Sequence, residues 1–126
     1  MIVGVGTDMV DARRMERLLT RFGARLAEKL LHASEREALQ KAPTPMQLAK
    51  RFAAKEAYAK ARGTGFRGGF TLQDVRVTHT AAGQPKLVFS DAETARFPGH
   101  AAHLSISDEA PYALAYVVLE KTDRPC

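Results

Sequence analysis

The stretch Pro45–Arg62, PMQLAKRFAAKEAYAKAR, reads as one continuous helix with both ends written in, and the rest of the chain must be arranged around it. Thr44 supplies an N-cap oxygen, and Pro45 suits the first helical position because it has no N–H to leave orphaned. Gln47 stands three residues after the cap, where its side chain can return the bond. Gly63 can take the left-handed conformation that closes a helix, while Gly65 leaves the next loop free to approach a ligand closely. Leu48, Phe52, Glu56 and Lys60 fall on one stripe at four-residue intervals, and Ala49, Ala53 and Ala57 form a neighbouring stripe of small side chains. The alanines let a partner element come close. On spacing alone, Glu56 and Lys60 make an ordinary i,i+4 pair contributing about 0.2–0.5 kcal/mol to the helix.

Ahead of this helix the chain opens with Ile2-Val-Gly-Val-Gly-Thr-Asp8, an apolar run ending in an acid, the pattern of a buried strand that delivers a carboxylate. Gly4 and Gly6 do not make a dinucleotide fingerprint, because Met9 stands where the third glycine belongs. An aspartate after a strand often caps the next helix, and Asp11 can do so as well as Asp8. With Asp11 available for the cap, Asp8 is freer for chemistry.

Two short texts then stand together. Phe52-Ala-Ala-Lys55-Glu56-Ala-Tyr-Ala-Lys60 fits the pattern (W/F)xxKExxxK, and Gly6-Thr7-Asp8 is followed by Arg14, six positions after the aspartate. With both in this order, the chain resembles the 4'-phosphopantetheinyl transferase superfamily, in particular its bacterial holo-[acyl-carrier-protein] synthases. The likeness covers nearly the whole chain, including the Gly63-Thr64-Gly65 loop and the blocks His103–Ser107 and Tyr112–Glu120.

The resemblance implies transfer of 4'-phosphopantetheine from coenzyme A to a serine of apo acyl carrier protein, releasing adenosine 3',5'-bisphosphate. Phosphoryl transfer asks a protein mainly for positioning and for neutralisation of developing charge, which a divalent ion commonly supplies. Asp8 and Glu56 are the expected ligands of a Mg2+ ion and, with Lys60, the expected catalytic residues. Two carboxylates about 4 Å apart repel by roughly 4 kcal/mol at an effective dielectric of 20, so such a pair calls for a cation between them. Lys60, and secondarily Lys55, would face the pyrophosphate. Gly63, Thr64 and Gly65 would line the coenzyme's phosphates through backbone N–H groups, and His103 would be a further coenzyme contact. The proton of the attacking hydroxyl could pass to Glu56, to Asp8 or to a water at the ion. The resemblance also implies a homotrimer with sites shared between subunits.

Charge distribution bears on the partner. Residues 12–62 hold 13 Lys/Arg against 5 Asp/Glu, a balance of +8, so the rest of the +5 chain sums to −3. A polyanion is expected on the basic half: nucleic acid, an anionic membrane surface, or an acidic protein together with a phosphorylated ligand. Arg14, Arg17, Arg21 and Arg25 follow at helical spacing beside an apolar stripe of Met15, Leu18, Leu19, Phe22, Leu26 and Leu30, with a possible break at Gly23. No acid interrupts the row, which makes Arg14, Arg21 and Arg25 the docking candidates for an acidic carrier protein. The runner-up function is a non-enzymatic basic module gripping nucleic acid phosphates, but no aromatic-rich strand motif, zinc pattern or helix-turn-helix accompanies it. The glycine-rich region has no P-loop Lys-Ser/Thr, so nucleotide hydrolysis is not indicated.

The remaining segments frame these. Ser34 to Glu37 and Ser90 to Glu93 have the spacing of capping boxes opening short helices, and Ala82-Gly83-Gln84 reads as a hairpin turn. The fold class expected is α+β, with one antiparallel sheet from strands near residues 2–7, 74–79, 86–89, 102–107 and 112–120 packed on the long helix. One compact domain over residues 1–126 is expected from the length. No apolar run approaches the roughly 18 residues of a membrane span, and the N-terminus has no secretory pattern. Cys126 is the single cysteine, which excludes a disulfide within the chain and makes a reducing cytoplasm the natural compartment.

Overall fold

The computed structural model describes residues 1–122, so Cys126 lies outside the described residues. The elements run β1 (Ile2–Asp11), α1 (Ala12–Phe22), α2 (Ala24–Leu30), α3 (Ala33–Leu39), α4 (Pro45–Ala61), β2 (Val75–His79), β3 (Pro85–Phe89), α5 (Asp91–Arg96), β4 (His100–Glu109) and β5 (Tyr112–Lys121). The architecture is α+β. Among the described residues no helix is long and apolar enough to cross a membrane.

Helix α4 begins as its sequence requires: the Gln47 N–H donates to Thr44 Oγ1 at 3.1 Å and the Thr44 N–H donates to Gln47 Oε1 at 2.9 Å. Its alanine stripe faces β1. A Cβ built on Gly4 would lie 1.8 Å from the Ala61 carbonyl oxygen, and one on Gly6 would lie 1.9 Å from that of Ala57. Only glycine lets the strand backbone lie this close to the helix backbone, so Gly4 and Gly6 are packing residues.

Strands β1, β5 and β4 form an antiparallel sheet in that order, with Asp8 opposite Ala115 and His103 opposite Val118. Ala113, Ala115, Val117 and Leu119 alternate inward and join Leu48, Ala49, Ala53 and Ala57 in the core. The expected single sheet is not what forms. Strands β2 and β3 pair only with each other, as a separate antiparallel hairpin. One physical reason is visible at the edge of β2, where the Val77 N–H donates to Glu35 Oε2 at 3.1 Å. A side chain takes a position another strand would need.

Two capping expectations change. Helix α3 is capped by His32, with Glu35 returning the bond to the His32 N–H at 2.9 Å, rather than by Ser34 with Glu37. Ser90 does cap α5, accepting from the Glu93 N–H, but the Glu93 carboxylate turns inward to Arg62 and Tyr58. The break at Gly23 is present, with φ at 58°, and it separates Arg25 on α2 from Arg14, Arg17 and Arg21 on α1. The arginines therefore do not form one helical row. Met15, Leu26 and Leu30 are buried as their spacing requires, whereas Phe22 is 38% exposed.

Candidate active site

Asp11 takes the N-cap of α1, its carboxylate accepting from the Arg13 N–H at 2.9 Å, so Asp8 is free of that duty. Asp8 occupies the inward-facing series of β1 together with Gly4, Gly6 and Val10, and thus points towards α4. Because the two glycines draw β1 onto α4, this carboxylate comes within reach of the helix's polar stripe. That stripe runs outward from Leu48 in the core, through half-buried Phe52 and Glu56, to exposed Lys60.

Lys60 Nζ donates to the Thr7 carbonyl at 2.9 Å and to Asp8 Oδ1 at 3.2 Å. Its ion pair is therefore with the strand and not with Glu56 one turn back, and the simple helical pair does not form. The Glu56 carboxyl is pushed above the ordinary carboxylate range, first by burial and then by the charge of Asp8, while Lys60 and Arg14 oppose the rise. Asp8, Glu56 and Lys60, distant in sequence, act on one another electrostatically in the fold. Among the described residues there is no group of three His, Cys, Asp or Glu side chains that could hold a metal. The carboxylates are two, and they are hard oxygen donors of the kind Mg2+ accepts alongside phosphate oxygens and waters.

The glycine loop follows directly from α4, with the Gly63 N–H on the Lys60 carbonyl at 3.2 Å. Gly63 and Gly65 have φ of 85° and 57°, which a side chain would disfavour, and Gly63–Arg67 line an open cleft of about 630 Å³. The expected loop thus lies beside Lys60.

Two other candidates are placed elsewhere. Lys55 is fully buried, and its ammonium donates to Glu35 Oε1 at 2.6 Å, the Leu30 carbonyl at 2.8 Å and the Leu72 carbonyl at 3.0 Å. Its three protons are used, so it has none for a coenzyme phosphate. His103 lies on the outer face of the sheet, opposite to the face that carries Asp8, and sits 3.2 Å from Glu120 Oε1. Within one chain it does not join the carboxylates.

Arg14, Arg17, Arg21 and Arg25 are all exposed. Arg14 and Arg25 flank a largely apolar groove of about 430 Å³ between α1, α2 and α4, floored by Met15, Leu18, Leu26 and Phe52. The Arg14 guanidinium lies 5.6 Å from the Phe52 ring centroid.

Sequence reasoning missed Glu35 and Glu93, both buried against cations: Glu93 was already accounted for as the acid of a capping box, and Glu35 stood inside the box read from Ser34 to Glu37 with no role of its own. It also left Arg62 without a function. No local pattern marks it, because the groups that bury its guanidinium, Glu93, Phe70 and Phe97, lie well beyond its own helix.

This chain matches a sequence profile of the 4'-phosphopantetheinyl transferase superfamily across residues 4–117. It is 49% identical to the holo-[acyl-carrier-protein] synthase of Alkalilimnicola ehrlichii over 98% of this chain and all of that protein. Its fold is similar to a crystal structure of holo-[acyl-carrier-protein] synthase from Neisseria meningitidis, with a TM-score of 0.88 and 41% identity over 96% of this chain and 100% of that one. It is also similar to the Bacillus anthracis synthase in complex with CoA (3',5'-ADP), with a TM-score of 0.81 and 37% identity over 97% and 99% of the two chains. With likeness of this extent in both sequence and fold, the chain belongs to the 4'-phosphopantetheinyl transferase superfamily.

Proposed function

We infer that this chain transfers 4'-phosphopantetheine from coenzyme A to a serine hydroxyl of an apo acyl carrier protein, releasing adenosine 3',5'-bisphosphate. The observation that carries the reading is the meeting of Asp8, Glu56 and Lys60, drawn from both signatures, beside the Gly63–Gly65 loop. Incubation with coenzyme A, Mg2+ and apo carrier protein tests it. The carrier should gain the mass of phosphopantetheine, and a carrier of unchanged mass overturns the reading.

Asp8 and Glu56 would hold Mg2+, which when bound neutralises charge on the pyrophosphate. Lys60, whose ammonium lies on Asp8, would offset charge on the departing phosphate. Asp8 already accepts from Lys60, whereas Glu56 accepts from no described residue, so Glu56 is the carboxylate free to take the serine proton. Mg2+ should raise the thermal midpoint of the wild-type protein by mass action, and should not raise that of Asp8→Ala. An equal Mg2+ shift in both proteins counts against this ligand pair.

The apolar outer face of the sheet, with Val5, Met9, Leu114 and Tyr116 between 42% and 63% exposed, supports self-association. The number three comes from the resemblance. In a trimer, His103 of one chain and the loop cleft of its neighbour would complete one another, since the cleft lined by Gly63–Arg67 is open to solvent. Light scattering should return three times the chain mass, and a monomer mass for fully active protein would exclude this assembly.

The exposed arginines of α1 and α2, two of them beside the groove, suit an acidic carrier. Because Arg14 also acts on Glu56, Arg21 is the cleaner reporter. Arg21→Glu should raise the carrier KM steeply, make it less salt-sensitive and leave coenzyme A affinity nearly unchanged, since rim charges act mainly on encounter. An unchanged carrier KM would mean that this face is merely solvated.

A further inference from the structure

A second charged cluster lies at the C-terminal end of α4, away from Asp8 and Glu56. Arg62 and Glu93 are 6% and 1% exposed. Arg62 Nε donates to Glu93 Oε2 at 2.8 Å and Nη2 donates to Oε1 at 3.1 Å, a forked pair. Glu93 also accepts from the Tyr58 hydroxyl and from Arg96 Nη1 at 2.9 Å. The guanidinium carbon lies 4.4 Å from the Phe70 ring centroid and 4.9 Å from that of Phe97, so two aromatic rings fix the plane as well.

One nitrogen remains, and it reaches into the glycine loop. Nη1 donates to Thr64 Oγ1 at 2.8 Å and to the Gly65 carbonyl at 2.6 Å, with the Arg67 carbonyl at 3.4 Å. The consequence lies in what the loop has left. Thr64 Oγ1 is used as an acceptor, so its own hydroxyl proton stays available to donate. No acceptor among the described residues takes the N–H groups of Thr64, Gly65 and Phe66. Successive free N–H groups beside a hydroxyl donor are what phosphate oxygens bind. Arg62 itself is committed to Glu93 and to these oxygens, so it acts through the loop and not on the phosphate.

We propose that Arg62, anchored by Glu93, is the positioning residue of the coenzyme loop: it holds the acceptors of Thr64 and Gly65 inward and leaves their donors for a phosphate of coenzyme A. The proposal rests on the transfer reading above. The test is calorimetric titration of the purified protein with coenzyme A, together with steady-state kinetics. Arg62→Lys keeps a cation for Glu93 but has no second arm for the loop. It should bind coenzyme A roughly tenfold more weakly and raise the coenzyme KM to match, with kcat and carrier KM within about twofold of wild type. Thr64→Val leaves the ion pair whole and should also weaken coenzyme binding several-fold, so retained affinity in that variant counts against the proposal even if Arg62→Lys does not fold. Thr64→Val, or folded Arg62→Lys, binding coenzyme A as wild type does would overturn the proposal. So would a fall in kcat with no change in coenzyme KM. A wild-type protein that binds no coenzyme A would instead remove the transfer reading, and this assignment with it.

Discussion

Asp8→Ala and Glu56→Ala are each expected to abolish measurable transfer, a loss of about a thousandfold or more, as removal of a preorganised charge-stabilising group can produce. Neither should unfold the protein. Among the described residues Asp8 pairs only with Lys60, whose side chain is 57% exposed, and exposed pairs contribute about 0–1 kcal/mol. Glu56 is held above its ordinary carboxyl range by burial and by Asp8, so removing it relieves a repulsion. Glu56→Ala should therefore melt no lower than wild type while being inactive. A mass assay on the carrier and a thermal melt, run on the same preparations, check both halves. Transfer near the wild-type rate by either variant in Mg2+ would refute the assignment of these acids.

The second large effect separates two lysines of the same helix. Lys55→Ala should cost about 3–5 kcal/mol of stability, because it leaves the carboxylate of Glu35 buried without its cation. Against a total of about 5–15 kcal/mol, that is enough to unfold much of the protein near body temperature. The Lys55 side chain is 0% exposed and that of Glu35 1%, so water cannot compensate. Lys60→Ala should do the reverse, losing turnover with a change in stability below about 1 kcal/mol. Denaturant melts and initial rates for both variants decide it. A stable, inactive Lys55→Ala would return that lysine to the coenzyme, and an unstable Lys60→Ala that turns over normally would make Lys60 structural.

What was legible in the sequence was local. The ends of α4, the alanine stripe, the cap by Asp11, the break at Gly23 and the β2–β3 turn depend on residues within a few positions of one another, and the structure shows each of them. On β4, His103, Ser105 and Ser107 share the outer face, as the two-residue period of a strand requires. The meeting of Asp8 with Glu56 was legible only because two signatures resembled those of a known superfamily.

Tertiary structure decided the fate of the charges. Lys55 and Lys60 are the same residue type on one helix, yet one is buried and the other exposed: the end of α2, Glu35 of α3 and the turn at Leu72 close over Lys55, whereas the ammonium of Lys60 meets only the Thr7 carbonyl and Asp8 of β1. Glu93 has the spacing of a capping acid and Glu35 caps α3, yet both turn inward to cations far away in sequence. Gly4 and Gly6 look like turn residues or a nucleotide motif until the backbone of α4 is seen against them. Each choice depends on which surfaces meet, and a buried charge is stable only where the chain brings a partner to it, so long-range contact settled what local pattern could not.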